Sequence, residues 1–253
     1  MIYIKVGGII DISTKDIPRM PSMVIFTVGC DFKCEFCHNK HLLAPEVGKE
    51  VSIQDLLKQI NTNMLVKGVS LTGGEPMLQP DIVEFCKSVK KTNKYISVDT
   101  NGSNPSILSE VVHFVDRIAL DLKANPLNQA RYQNIVGMNV NLDKILESFD
   151  LLNKIQNLDF EIRTTYVKNL MNQDDIHDIV NFLKEKQFHG NYIIQQYQYS
   201  EGVGHEYKEK FEKPLHSELL EILEQYNYHG ILTFDLYIRD EVVGYKCIKS
   251  RHE

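Results

Sequence analysis

No apolar stretch in the 253-residue sequence approaches the roughly 20 residues needed to cross a bilayer. The segment from Met1 to Pro18 is interrupted by Lys5, Asp11 and Asp16 and lacks the layout of a secretory signal, so a cytoplasmic location is expected. There is no surplus of basic residues: 28 Lys and Arg stand against 34 Asp and Glu, a net charge of −6. That balance argues against a general phosphate-binding surface, and neither nucleic acid nor membrane is expected as a partner. The densest charge cluster, Glu206 to Lys213, mixes both signs and reads as a solvated surface segment. Linkers, low-complexity stretches and sequence repeats are also missing, so one domain is expected over 1–253, with its core at about 20–240 and a short C-terminal tail. An even, paired cysteine framework is lacking too. The chain has five cysteines, three of them within eight residues, which points away from disulfides and toward metal chemistry in a reducing compartment.

What is present is a regular alternation. Strand character recurs at Met23–Val28, Gly68–Thr72, Tyr95–Thr100, Arg117–Leu122, Phe160–Val167, Tyr192–Tyr197 and Ile231–Ile238. Between these runs lie helical stripes. Ser52 with Asp55 forms a capping-box variant ahead of Ile53, Leu56, Leu57 and Ile60, and Pro80 precedes Ile82, Phe85, Cys86 and Val89. Further stripes run through Leu142, Ile145, Leu146, Phe149 and Leu152, through Ile176, Ile179, Val180 and Leu183, and through Leu219, Leu220 and Leu223. Strands alternating with helices imply parallel β-α units. About six repeats are too few for an eight-fold barrel, so the expected fold is α/β, a partial, open TIM-type (β/α)6 barrel of parallel strands with outer helices.

The chemically unusual residues follow the strands. Cys30 comes after the first, Gly73 and Glu75 after the second, Asp99 and Asn101 at the end of the third, Asp121 and Lys123 at the end of the fourth. In parallel α/β architectures the carboxyl ends of strands are where sites are built.

Cys30, Cys34 and Cys37 are spaced four and three apart on one short loop, Gly29-Cys30-Asp31-Phe32-Lys33-Cys34-Glu35-Phe36-Cys37-His38-Asn39. Three thiolates so spaced can wrap one face of an iron–sulfur cubane and leave its fourth iron open to substrate. The alternative is a zinc site completed by His38 or a distant cysteine. Zinc sites favour two cysteine pairs. Here Cys86 and Cys247 stand alone, Cys86 on an apolar helical stripe and Cys247 near the C-terminus. Spacing favours the open cluster and leaves zinc as the second reading.

The Cys-x3-Cys-x2-Cys spacing, with Phe36 before the third cysteine, resembles the signature of the radical S-adenosylmethionine superfamily. Gly73-Gly74-Glu75-Pro76 is similar to the superfamily's GGEP motif, which contacts the amino group of the methionine moiety. Cys37-His38-Asn39, Asp99-Thr100-Asn101-Gly102 and Asp121-Leu122-Lys123 resemble motifs of the enzymes that activate glycyl-radical proteins. The opening Gly8-Ile9-Ile10-Asp11-Ile12-Ser13, with Asp16-Ile17-Pro18, and the run Ile193-Ile194-Gln195-Gln196-Tyr197 resemble these activases as well, the latter those of anaerobic ribonucleotide reductase. The resemblance implies that Cys30, Cys34 and Cys37 hold one 4Fe–4S cluster. It further implies that Asn39, Gly73, Gly74, Glu75, Pro76, Asp99, Thr100, Asn101, Asp121 and Lys123 surround S-adenosylmethionine, with a monovalent cation near Asp99, Thr100 and Asp121 in some members. Gln198 stands where pyruvate formate-lyase activases carry a histidine near the adenine, and no cysteine-rich insert follows Cys37.

The activity implied by this resemblance is reductive cleavage of S-adenosylmethionine to a 5′-deoxyadenosyl radical, which abstracts a glycine Cα hydrogen in a partner glycyl-radical enzyme. Anaerobic ribonucleotide reductase is the favoured partner. No catalytic side chain is expected beyond the cluster and cofactor, and a flavodoxin or ferredoxin is the expected electron donor because there are no cysteines for a second cluster. Two alternatives are a radical S-adenosylmethionine enzyme acting on a nucleoside or another peptide, and a non-catalytic iron–sulfur or zinc protein. Arg163, within Glu161-Ile162-Arg163-Thr164-Thr165, is expected either to meet substrate or to pair with a neighbouring acid.

Overall fold

The computed structural model describes residues 2–200, 207–228 and 232–252. Met1, Glu206 at the head of the expected charged segment, and Ile231 at the head of the last expected strand lie outside them. The strands are β1 (Tyr3–Ile17), β2 (Met20–Thr27), β3 (Lys49–Ser52), β4 (Gly68–Gly73), β5 (Tyr95–Thr100), β6 (Arg117–Asp121), β7 (Asp159–Tyr166), β8 (Asn191–Gln196), β9 (Asp235–Asp240) and β10 (Gly244–Lys249). The helices are α1 (Ile53–Thr62), α2 (Ile82–Lys90), α3 (Pro105–Val111), α4 (Gln129–Val136), α5 (Leu142–Leu152), α6 (Gln173–Glu185) and α7 (His216–Tyr228). Among the described residues no helix is long and apolar enough to cross a membrane.

Contacts divide the chain into two compact units. The first comprises residues 1–31, 41–120 and 143–159. Within it β2, β4, β5 and β6 pair in parallel, in registers that set Val24 beside Ser70, Ser70 beside Ser97, and Ser97 beside Arg117. β1 runs antiparallel to β2, with Ile9 opposite Ile25, and to β3, with Tyr3 opposite Ser52. The central strands read as near-continuous apolar runs because both faces are covered: Val24, Ile25, Val69, Leu71, Ile96, Val98, Ile118 and Leu120 are all fully buried. The helices bury the stripes expected of them. Ser52 caps α1, its hydroxyl accepting the Asp55 amide at 3.1 Å, and Ile53, Leu56 and Ile60 face inward. α2 buries Ile82, Phe85, Cys86 and Val89.

The second unit comprises residues 32–40, 121–142 and 160–253. β7, β8 and β9 pair in parallel, Thr164 beside Ile194 and Ile193 beside Tyr237, and β10 returns antiparallel to β9. A complete capping box at Asn172 and Asp175 starts α6, and Gly137, in the left-handed region at φ 77°, ends α4. The expected parallel strands are present within a residue or two at most ends, the last one starting later, at Asp235. β1, β3, β10, α3 and α4 are elements the sequence pattern did not announce.

Candidate functional site

The first unit places three sequence-predicted pieces together, the turn at Cys30, the Gly73–Pro76 segment and the end of β5. β2 ends at Thr27, and the chain turns through Gly29, at φ 87°, into Cys30 and Asp31. β4 ends at Gly73, whose φ of 111° and contact with the Thr27 backbone leave no space for a side chain. The Gly74 amide donates to the Thr27 carbonyl at 2.9 Å, and the Glu75 amide to that of Gly29 at 2.8 Å. Gly73 to Pro76 is thereby laid against the turn that carries Cys30.

Glu75 is 1% exposed, and internal donors occupy its carboxylate. One oxygen accepts from the Met77 amide at 2.9 Å and the Thr100 hydroxyl at 2.7 Å; the other accepts the Asn101 amide at 2.7 Å. This brace joins the end of β4 to the end of β5. Burial raises the carboxyl to about 7, while the three donors pull it back toward the charged form. Asn101 sends its side-chain amide toward Asp31 Oδ1 at 2.9 Å and Cys30 Sγ at 3.8 Å. Asp99 lies above a fully buried cation: Arg117 Nη1 is 3.9 Å from Asp99 Oδ1 and donates to Ser97 Oγ at 2.6 Å. Arg117 was not singled out in the sequence, where nothing separates a buried arginine from a surface one.

The second unit holds the rest of the cysteine loop. Cys34 is buried, Cys37 is half-buried, and the Cys37 amide donates to the Cys34 carbonyl at 3.1 Å. Burial pushes the Cys34 thiol up to about 11, against the pull of the Lys123 ammonium. Cys37 is raised for the same reason, countered by the Asn39 backbone, which bonds to it. Lys123 sits at the end of β6 with its ammonium 2.8 Å from Asp121 Oδ2. Burial opposes its charge, but Asp121 and Cys34 outweigh that and hold its pKa above the ordinary lysine range. His38 stacks on Tyr197, ring centroids 5.5 Å apart; burial lowers its pKa, and its Nε2 is enclosed with no hydrogen-bond partner. Gln198 is tied to Gln196 at 3.0 Å. Arg163 pairs with Glu161 at 2.5 Å, the acid-pairing outcome of the two expected for it.

The donor chemistry fits an iron–sulfur cluster. Cys30, Cys34 and Cys37 stand outside any disulfide and are soft ligands close together in the sequence, and Asn101 already directs an N–H at one of the sulfurs. Among the described residues no three His, Cys, Asp or Glu side chains are gathered closely enough to hold a metal ion.

Known proteins decide the family. The family model described as the Radical SAM superfamily matches residues 24–184. The chain belongs to the radical S-adenosylmethionine superfamily. A Methanocaldococcus jannaschii protein named for glycyl-radical enzyme activation is 33% identical over 226 residues, 86% of this chain and 89% of its own length. The pyruvate formate-lyase 1-activating enzyme of Escherichia coli is 31% identical over 227 residues, 81% of this chain and 89% of the relative. Among solved structures, Streptococcus suis SuiB bound to S-adenosylmethionine has a TM-score of 0.66 at 21% identity. It matches 86% of this chain and 50% of its own, so the chain spans half the length of SuiB. TYW1 with a lysine-pyruvate adduct scores 0.64 at 17% identity over 92% of this chain and 80% of that one. These last two show the fold, the open α/β barrel class expected from the sequence. As a radical S-adenosylmethionine enzyme the protein uses a 4Fe–4S cluster and S-adenosylmethionine, and the two curated relatives just described are named as activating enzymes.

Proposed function

We propose that this enzyme installs a glycyl radical in a partner protein, with anaerobic ribonucleotide reductase as that partner. The observation that carries the reading is that relatives matching four-fifths or more of the chain are named for glycyl-radical activation. The runs that resemble activase motifs, Cys37-His38-Asn39 and Asp99-Thr100-Asn101-Gly102, agree with it.

In this reading Cys30, Cys34 and Cys37 hold the cluster. Bound together, the cluster and S-adenosylmethionine supply a one-electron cleavage that yields a 5′-deoxyadenosyl radical able to take a glycine Cα hydrogen. The chain's own residues bind and orient. The Glu75 brace fixes the Gly73–Pro76 backbone, where the methionine amino group is received. By resemblance to the activase motifs, Asp99 and Thr100 at the end of β5, and Asp121 and Lys123 at the end of β6, are each assigned to the methionine carboxylate, with a monovalent cation to offset the aspartates. Asn39 holds Cys37 through its backbone, and Gln198 is assigned to the adenine by its position in the sequence alone. The enzyme is read as one catalytic domain in the cytoplasm, reduced by a flavodoxin or ferredoxin.

The test is anaerobic incubation of the reconstituted enzyme with S-adenosylmethionine, a reductant and anaerobic ribonucleotide reductase. A glycyl doublet in the electron paramagnetic resonance spectrum of the reductase is expected. Release of 5′-deoxyadenosine without such a doublet would remove this reductase as the partner, and its absence in every glycyl-radical enzyme tested would transfer the activity to a nucleoside or another peptide. No release at all would defeat the enzymatic reading.

A further inference from the structure

Asn101, which the resemblance assigns to the surround of S-adenosylmethionine, makes a set of contacts within the chain itself. The side chain is 7% exposed and held from both ends. Its Oδ1 accepts the Ser103 amide at 2.9 Å, which fixes which end of the side-chain amide is oxygen and which is nitrogen. Its backbone amide is bound by Glu75 at 2.7 Å. With these contacts made, the Nδ2 group has two hydrogens to place and two acceptors in reach, Asp31 Oδ1 at 2.9 Å and Cys30 Sγ at 3.8 Å. The Asp31 bond is the shorter and anchors the group; the remaining hydrogen points at the sulfur. Glu75 strengthens this alignment because its own amide is bound to the Gly29 carbonyl, one residue before Cys30. The end of β5 and the cysteine turn are thus one hydrogen-bonded assembly, with an N–H aimed at a thiol.

Hydrogen bonds to ligand sulfurs are one of the levers that set a cluster's reduction potential. An N–H donor offsets the charge gained when the cluster takes an electron, so it favours the reduced state. Asp31 acts in the opposite sense as a nearby carboxylate, and binding the Asn101 amide both holds the donor and dampens that charge. We propose that Asn101 is a positioning residue for the cluster, raising its reduction potential through the hydrogen bond to Cys30, and that Asp31 keeps the amide aimed. This inference rests on the reading that Cys30, Cys34 and Cys37 hold the cluster.

The experiment is a potentiometric titration of the reconstituted enzyme without S-adenosylmethionine, followed by electron paramagnetic resonance, on wild type, Asn101→Leu and Asn101→Asp. Asn101→Asp keeps the acceptor for the Ser103 amide and removes both amide hydrogens, so it guards against a variant that fails only because the turn collapses. At the wild-type midpoint the reduced-to-oxidised ratio is expected to fall about tenfold in Asn101→Leu, which is about 59 mV for one electron, and further in Asn101→Asp. Unchanged midpoints in both variants would overturn the proposal, above all if S-adenosylmethionine affinity fell instead. So would loss of the cluster from both, because a tuning bond is not needed for retention. A wild-type protein that takes up no cluster would defeat the activase reading itself. Normal uptake and 5′-deoxyadenosine release under excess dithionite, with midpoints unmoved, would defeat only the role given to Asn101.

Discussion

Gly74 and Gly29 touch backbone to backbone: a Cβ built on Gly74 would lie 2.1 Å from the Gly29 carbonyl oxygen and 2.8 Å from its carbonyl carbon. Neither atom can move without displacing the turn that leads to Cys30. Gly74→Ala is therefore expected to lose iron retention after reconstitution and to cost about 1–3 kcal/mol of stability, the range for overpacking a close contact. Gly8→Ala is the control, since a Cβ there meets nothing within 4 Å. Iron per chain and urea midpoints check both. A Gly74→Ala variant that held wild-type iron would mean the contact is dispensable.

The Glu75 carboxyl gives a pH dependence with a definite sign. Burial raises it from 4.5 to about 7 in the folded chain. A raised folded value means that the stability from keeping the group protonated is complete below pH about 4.5 and is lost as pH rises through about 7. The apo protein is expected to lose on the order of 2 kcal/mol from this group between pH 5.5 and 8.5. Glu75→Gln removes that dependence while starting from a lower baseline, because its amide nitrogen would face the Asn101 N–H. Urea unfolding of both proteins at the two pH values measures the difference. Equal pH slopes would show that Glu75 does not titrate there.

Much of the arrangement was legible because its signals are local. β5 was read at its full extent, since Tyr95 to Thr100 is a compact apolar run ended by Asn101-Gly102. The cysteine loop and Gly73-Gly74-Glu75-Pro76 were legible for the same reason, as ligand spacing and turn chemistry are written in adjacent residues. β1 was not. Register shifts between Val6 and Gly8, between Ile10 and Ser13, and between Ser13 and Ile17 break the alternation by which a strand is recognised. Two of the donors on Glu75, Thr100 and Asn101, the aim of Asn101 at Cys30 and the bond from Arg117 to Ser97 join residues 20 to 71 positions apart. No pattern along one chain encodes such pairings.

The cysteines should divide by role. Cys34→Ala is expected to abolish cluster binding and 5′-deoxyadenosine release. Cys86 is fully buried on α2, where burial pushes its thiol up to about 12, so Cys86→Ser should lower stability by about 1–3 kcal/mol with iron content unchanged. Cys247 is exposed, and Cys247→Ser should be neutral. Iron analysis and thermal melts distinguish the three. Turnover by Cys34→Ala would remove it from the ligand set.

Arg117 is 1% exposed, among the largest fully buried side chains of the described residues, and its guanidinium lies within 4.0 Å of both Asp99 and Asp159 while donating to Ser97. Tyr95 adds a hydroxyl bond to Asp159 at 3.1 Å, so the cation sits inside a network rather than a single pair. The acids left behind are partly exposed, Asp99 at 16% and Asp159 at 44%, so removing the buried cation costs less than breaking a fully buried pair, about 1–3 kcal/mol. Arg117→Met is expected to fall in that range by urea unfolding, against a near-zero change for the exposed Lys87→Met. Because Asp99 is among the acids left behind, Asp99→Asn should recover part of the loss, and the double mutant should depart from additivity by at least about 0.5 kcal/mol. Full additivity would mean that Arg117 steadies the sheet without acting on Asp99. A recovered double mutant would instead tie the charge at the end of β5, where the S-adenosylmethionine carboxylate is placed in the proposed reading, to a residue one strand away.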